Sequence, residues 1–381
     1  MSIKNLLRKT VTDLTAKKGF SFNLGTPHTA DQHGVADVPA WIPSGITMLD
    51  HALGGGLPLG RISELFSENE SEGKSTLIQH FMVQTQRGGG LVVLLDSEAA
   101  TDKDRAARMG LDLSKTLIFG PPTVEDGFLF IDQLIRNIAE DKDLMGAPTL
   151  IVWDTINAAP TRGEKASDPF ADGMVVKPRI IAAALRNYVG EFYKYKVHMC
   201  LVNQSITNID RGNPYAPKTM TPGGKAIKFY SSLRVKCKKT GFIGEPRTLE
   251  KDDQRLGISV KVEAVKNKLA LPFRAAELYL YGETGYDDIM SMANYFLGNK
   301  NTDLLAQKGG RYYLSNGKCP FWKDVRAEVL ADPKVLSSWQ AKVAELFPLP
   351  PNRERNPETG WITRKEGCRV VETEETEEAP E

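Results

Sequence analysis

Four short apolar runs, Arg61 to Phe66, Gly90 to Leu95, Thr149 to Trp153 and Val197 to Asn203, alternate with stretches of helical periodicity. The helical stretches are Ser75 to Gln86, Asp102 to Met109, Val124 to Ile138 and Val176 to Tyr195. Continuous apolar runs of this length predict strands buried on both faces. Strands joined through helices run parallel, so the pattern confines the chain to a three-layer α/β core with a mostly parallel central sheet. Leu233 to Cys237, Gly257 to Val265 and Leu278 to Tyr281 follow with little helix between them, which predicts an antiparallel extension of the same sheet. Hydrophobic residues make up 41% of the 381, enough for one substantial core with smaller attachments.

The flanks read differently. Ile3, Leu6, Leu7, Val11 and Leu14 predict a short amphipathic helix within residues 1–22, stopped by Gly19. Its apolar stripe must dock on its own core or on a neighbouring subunit. Residues 23–40 read as a linker and 41–287 as the core. Residues 288–348 read as a small α+β domain with a hairpin-like stretch from Tyr312 to Gly317, and 349–381 as an acidic, disordered tail. Charge is balanced overall, at 49 basic and 48 acidic residues, but Lys218 to Lys251 is basic and the last ten residues hold six Glu. That asymmetry predicts an anionic ligand for the middle and a repulsive end. Cys200, Cys237, Cys319 and Cys368 are far apart, which argues against a zinc site or disulfide framework and fits a reducing compartment. With no signal-length or membrane-length apolar run, the expectation is a cytoplasmic protein.

Gly73, Lys74, Ser75 and Thr76 fall between a strand and a helix, where backbone N–H groups and the helix N-terminus converge on phosphate. Lys74 is expected on the β- and γ-phosphates and Ser75 on magnesium. The pattern G-x-x-x-x-G-K-[ST] is incomplete, because Glu68 stands at its first position. Glu68, Glu70 and Glu72 must point outward or pair with Lys or Arg, since a bare carboxylate repels phosphate. Asp154 ends an apolar strand and is placed to join Ser75 at the metal. Glu98 is the candidate general base, with Asp96 as its rival, and the Gln204 amide can sense a γ-phosphate without adding charge. Any one of these could be a strand-end cap. Four strand ends delivering polar groups to one sheet edge argue for a nucleotide site.

In this order, and with the stretches Ile42 to Asp50, Ala52 to Arg61, Thr221 to Tyr230 and Val265 to Phe273, the chain resembles the RecA family and its phage relatives over about Ile42 to Asp287. The resemblance implies a RecA-type P-loop core that binds ATP and Mg2+. It also implies helical filaments on single-stranded DNA and pairing with double-stranded DNA in recombination and repair, with single-strand-binding and loader proteins as further partners. By the same resemblance Asp102, Arg105 and Tyr281 line the base, Arg105 replacing a usual stacking Tyr. Lys266 and Lys268 reach the ATP of a neighbouring subunit. Their alternative is a solvated turn.

Two segments are then expected to face DNA. The first runs from about Arg162 to Met174, followed by Arg179 and Arg186 on its helix. The second runs from Ser205 to Thr221, with Ile206, Ile209, Arg211 and Lys218, and leads into Gly223, Gly224 and Lys225. Bases for phosphate and apolar groups for base steps suit sequence-tolerant binding of a single strand. Two rivals remain open at this point. One is a hexameric motor on the same fold; the other is a non-catalytic DNA-binding mediator, favoured by Glu68 and Glu72.

Overall fold

The computed structural model describes residues 38–141, 144, 146–166, 176–207, 219–220, 224–244, 256–282, 284–299, 303–357 and 359–365, with backbone alone at 206–207, 219–220 and 224. In chain order the first half comprises β1 (Ala40–Ile42), α1 (Thr47–Leu53), β2 (Leu57–Pro58), β3 (Ile62–Ser67), α2 (Lys74–Arg87), β4 (Leu91–Asp96), α3 (Lys103–Arg108), β5 (Thr116–Phe119), α4 (Val124–Glu140), β6 (Thr149–Asp154) and α5 (Arg162–Ala166). Then come α6 (Val176–Lys194), β7 (Val197–Gln204), β8 (Ile206–Thr207), β9 (Thr219–Met220), α7 (Gly224–Tyr230), β10 (Leu233–Ile243), β11 (Gly257–Asn267), β12 (Ala275–Tyr281) and β13 (Gly285–Asp287). The chain continues through α8 (Asp288–Gly298), β14 (Leu305–Lys308), β15 (Arg311–Leu314), α9 (Trp322–Leu330), α10 (Pro333–Leu346), β16 (Arg353–Arg355) and β17 (Ile362–Arg364).

Nine strands form the central sheet in the order β13-β12-β11-β10-β3-β7-β6-β4-β5. From β10 to β5 neighbouring strands are parallel; β10 to β13 pair antiparallel, as the sequence pattern requires. Alternate side chains of one strand enter opposite layers. Val92, Leu94, Leu150 and Val152 pack with Leu77, Ile78 and Phe81 of α2. Val93, Leu95, Ile151 and Trp153 pack on the other face with Ile131 and Ile135 of α4 and Ile181 and Leu185 of α6. Each such buried side chain contributes roughly 1.5–3 kcal/mol relative to exposure, which is why these runs carry almost no polar residues. Helix α4 approaches closely because Gly127 faces Trp153; a Cβ there would lie 2.4 Å from the indole.

The flanks depart from expectation in three places. Residues after Leu349, read as a disordered tail, include β16 and β17, and β17 pairs antiparallel with β1. The physical reason is apolar and cationic burial that the Pro- and charge-rich composition conceals. Trp361 is buried against Gly88, and Arg353, 5% exposed, lies 3.8 Å from the Trp41 ring centroid and donates to the Gly54 and Leu269 carbonyls. Towards the N-terminal side of the chain, Val38, inside the expected linker, is buried in the same place, beside Trp41 and Ile362. The hairpin-like stretch expected at Tyr312 to Gly317 is present, closed by the Leu314 amide on the Lys318 carbonyl and the Tyr312 amide on the Pro320 carbonyl, and a two-residue turn at Gly309 and Gly310, both with positive φ, precedes it. Residues 288–348 do not form a separate core: Phe296, Trp339 and Val343 belong to the same buried cluster as Leu49 and Leu53 of α1. The N-terminal helix within residues 1–22 and the Glu-rich end after Lys365 lie outside the described residues.

Candidate nucleotide site

Strands β4, β6, β7 and β3 are consecutive in the sheet and end on one edge. Asp96 is paired across from Asp154, and Ser67 across from Gln204. From β3 the chain enters the 67–73 turn and then α2, whose N-cap Gly73 has a φ of 83° and no side-chain cap. Glycine is required there, since a Cβ would lie 2.2 Å from the Tyr286 hydroxyl. The amides at the start of α2 are therefore left for a ligand, beside the positive end of the helix dipole.

Lys74 Nζ donates to Ser67 Oγ at 2.6 Å, and Ser75 Oγ donates to Asp154 Oδ2 at 3.0 Å. Thr155 Oγ1 donates to Glu98 Oε1 at 2.9 Å. Asp96 accepts from the Ala100 and Thr101 amides, which fixes the turn that carries Glu98. Ser75, Thr76, Asp96, Glu98, Asp102, Arg105 and Asp154 line one cleft. Burial, and then the nearby Glu98 and Asp96 carboxylates, push the Asp154 pKa up to about 6, against the lowering effects of its Ser75 hydrogen bond and of Lys74. An acidic cleft edge with a hydroxyl bonded to the Asp154 carboxylate is an oxygen donor set suited to a hard divalent cation such as magnesium. Among the described residues no three His, Cys, Asp or Glu side chains are placed to hold a metal ion together, so phosphate oxygens or water would complete any such shell.

The loop carboxylates depart in part from expectation. Glu68 Oε1 pairs with Lys236 Nζ at 2.7 Å and Glu70 is exposed, as anticipated. Glu72 neither points outward nor meets a Lys or Arg side chain. It is 4% exposed and accepts from the Glu68 and Asn69 amides, the Asn69 side chain and the Lys239 amide. Backbone N–H groups satisfy its charge, so it braces the loop from within.

Other expected residues lie apart from the cleft. Tyr281, on β12, does not line it; Tyr286 instead packs at the turn, its hydroxyl donating to the Gly73 carbonyl at 3.3 Å. Lys266 Nζ donates to the Lys228 and Phe229 carbonyls, and Lys268 lies 5.9 Å from the Phe229 ring centroid, both at the far end of β11. Asp102, by contrast, lines the cleft and also caps α3, accepting from the Arg105 amide at 2.9 Å. Arg179 and Arg186 are exposed two turns apart on α6, and Lys225 is exposed on α7. The first expected DNA loop begins instead as helix α5, because Thr161 and Glu164 bond each other's amides in a capping box. Backbone pairing of β8 with β9 sets Ile206 opposite Met220. Met174, Ile209, Arg211, Lys218 and Gly223 lie outside the described residues, and Gly224 is the first residue of α7. Ser67, Thr155 and Tyr286 were missed in the sequence; the first two were detectable as hydroxyls at the ends of β3 and β6.

The sheet order and the strand–turn–helix at Lys74 define an α/β protein of the P-loop class. Comparison with known proteins narrows this. The RecA N-terminal domain family matches residues 21–287. Protein RecA of Thermus aquaticus is 33% identical over 306 residues, spanning 80% of this chain and 84% of the relative. Protein RecA of Trichodesmium erythraeum is 34% identical over 271 residues, 71% and 70% respectively, and that of Fusobacterium nucleatum 34% over 307, 80% and 76%. The chain belongs to the RecA family of recombinases. Among the described residues no helix is long and apolar enough to cross a membrane.

Proposed function

We propose that this chain is an ATP-dependent recombinase that assembles as a helical filament on single-stranded DNA and pairs it with a homologous duplex. The observation that carries the reading is that Lys74, Ser75, Asp154 and Glu98 meet at one sheet edge, each with a hydrogen-bonded partner that fixes it. Lys74 and the uncapped amides of α2 hold the terminal phosphates. Ser75 and Asp154 hold magnesium, which when bound neutralises charge on the phosphate oxygens. Glu98 orients water and takes its proton, and Thr155 fixes the carboxylate. Asp96 is the weaker candidate base, because backbone amides already engage both its oxygens.

Gln204 sits across from Ser67, which holds Lys74, and leads directly into β8. It is suited to report the γ-phosphate to the DNA-facing segment. Arg179, Arg186 and Lys225 supply cations for the DNA backbone, a contact independent of sequence. Lys266 and Lys268, remote from their own cleft, would serve a neighbour's by exchanging their present contacts with the Lys228 and Phe229 carbonyls and the Phe229 ring. The case for a mediator without turnover weakens, since Glu68 pairs with Lys236 and Glu72 is taken up by N–H groups of the loop and of Lys239.

Strand exchange with wild type and Glu98→Gln tests the reading. The variant is expected to bind ATP and single-stranded DNA, to lose about 100-fold or more in hydrolysis, and to remain on DNA after pairing. Hydrolysis at the wild-type rate would remove Glu98 from its role. A wild type that never exchanges strands would remove the function.

A further inference from the structure

The charge of Glu64 has no part in the machinery above. Glu64 on β3 is fully buried, and strand alternation turns it away from Leu65 and Ser67, which face α2 and the cleft. A carboxylate taken out of water needs partners for its charge. Glu64 has them on both neighbouring strands. Arg234 Nε on β10 donates to Glu64 Oε2 at 2.5 Å, with its guanidinium 4.7 Å from the Phe66 ring centroid. From the other side, Asn203 Nδ2 on β7 donates to Glu64 Oε1 at 3.2 Å.

The Asn203 contact reaches one residue further. A carboxylate paired with a guanidinium can only accept, so it takes the side-chain nitrogen of Asn203 and turns the oxygen the other way. That oxygen accepts from the Gln204 backbone amide at 3.1 Å. Gln204 is thereby held from the face opposite the cleft. On the β10 side, Arg234 is paired across from Lys266 on β11, and Lys266 Nζ donates to the Lys228 and Phe229 carbonyls of α7 at 2.5 and 3.3 Å. Burial, then Lys268 and Arg234, lower the Lys266 pKa while Glu64 opposes them, so the charges of this group act on one another. Asn203, Glu64, Arg234 and Lys266 thus form a row across β7, β3, β10 and β11. Its ends hold Gln204, just ahead of β8, and α7, just after β9.

We propose that Glu64 is a positioning residue for the nucleotide response. Acting through Asn203 and Arg234 rather than on the ligands, it keeps Gln204 and α7 in one register, so that a γ-phosphate sensed by Gln204 changes the grip on DNA. The inference rests on the reading of Gln204 as the reporter of the γ-phosphate and adds the residue that lets the report reach both anchors of the segment proposed to face DNA.

The test is the affinity of the full chain for a labelled single strand with and without a slowly hydrolysed ATP analogue, beside calorimetric binding of the analogue and thermal melts. Removing one member of a buried ion pair strands the other charge and threatens the fold. The main variant therefore replaces both, Glu64→Leu with Arg234→Met, since apolar residues of similar size often preserve stability. It is expected to keep the wild-type Tm and analogue affinity, while the tightening of DNA binding by the analogue falls from about 10-fold to about 2-fold or less. Asn203→Ala leaves the ion pair in place and cuts the row at Gln204. It is expected to show the same loss, and it decides the matter if the double variant does not fold. A merely structural pair would move the Tm and leave the ratio alone. If either folded variant keeps the wild-type ratio, Glu64 does not position the response and the inference is wrong. If wild type itself binds DNA alike with and without the analogue, the reading of Gln204 falls and the inference with it.

Discussion

At the scale of single residues, the turn before α2 shows how a departure from the P-loop pattern can be accommodated. Glu68 replaces the first glycine, yet its charge leaves the loop through Lys236 on β10. Glu72 folds inward and gathers three backbone amides, those of Glu68, Asn69 and Lys239. Removing that acceptor strands the amides, and each buried donor without a partner costs about 1–3 kcal/mol. Glu72→Ala is therefore expected to lower the Tm and to weaken ATP binding roughly 10-fold, whereas Glu72→Gln, which keeps one acceptor oxygen, falls between. Thermal melts and nucleotide titrations of the two variants check this; a Glu72→Ala protein with tighter ATP binding would mean that the carboxylate repels phosphate instead. The lysine, the serine and the two strand-end carboxylates were legible in the sequence because their spacing follows strands and a helix. The inward turn of Glu72 was not, since its partners are backbone amides that every sequence carries.

Among the elements, α8 illustrates how the part beyond the central sheet is fastened. Asp287 caps the helix at the Met290 amide and pairs with Arg326, and Asp288 accepts from the Thr47 amide and hydroxyl, both at 2.7 Å. Loss of water around Asp288 pushes its pKa up to about 7, outweighing the lowering effect of the Thr47 bonds. In the unfolded chain the same carboxyl titrates near ~3.9. Between these values the folded state holds more protons than the unfolded one, so this residue's contribution to stability falls as pH rises from about 4 to 7. Asp288→Asn keeps a carbonyl for the Thr47 amide and removes the charge. The Tm difference, variant minus wild type, is expected to grow by a few degrees between pH 5 and pH 8; a difference that shrinks with pH would contradict the assignment. The four buried parallel strands and their helices were legible from apolar runs and 3.6-residue periodicity. Helix α1, the three-residue strands and β5 were not, because so few residues carry no period.

The whole molecule closes on itself through its C-terminal hairpin. β17 pairs with β1, Trp361 covers Gly88, and Arg353 ties the carbonyls of Gly54 and Leu269 together. Leu269 directly follows Lys268, so the hairpin braces the segment that carries Lys266 and Lys268. Nothing in a Pro-rich, charged stretch announces such a contact; it exists because Trp41 offers a face to a guanidinium. The central sheet, by contrast, joins the Lys74 turn, Asp154, Glu98 and Gln204 on one edge, with the segment we propose to face DNA following directly after β7. That arrangement makes a testable demand, namely that nucleotide in this cleft governs grip on DNA. The direct measurement is the affinity of wild type and Lys74→Ala for a labelled single strand, with and without a slowly hydrolysed ATP analogue. Wild type is expected to bind about 10-fold or more tightly with the analogue, and Lys74→Ala to bind alike in both conditions. A wild type indifferent to nucleotide, or a Lys74→Ala protein that responds as wild type does, would contradict the account.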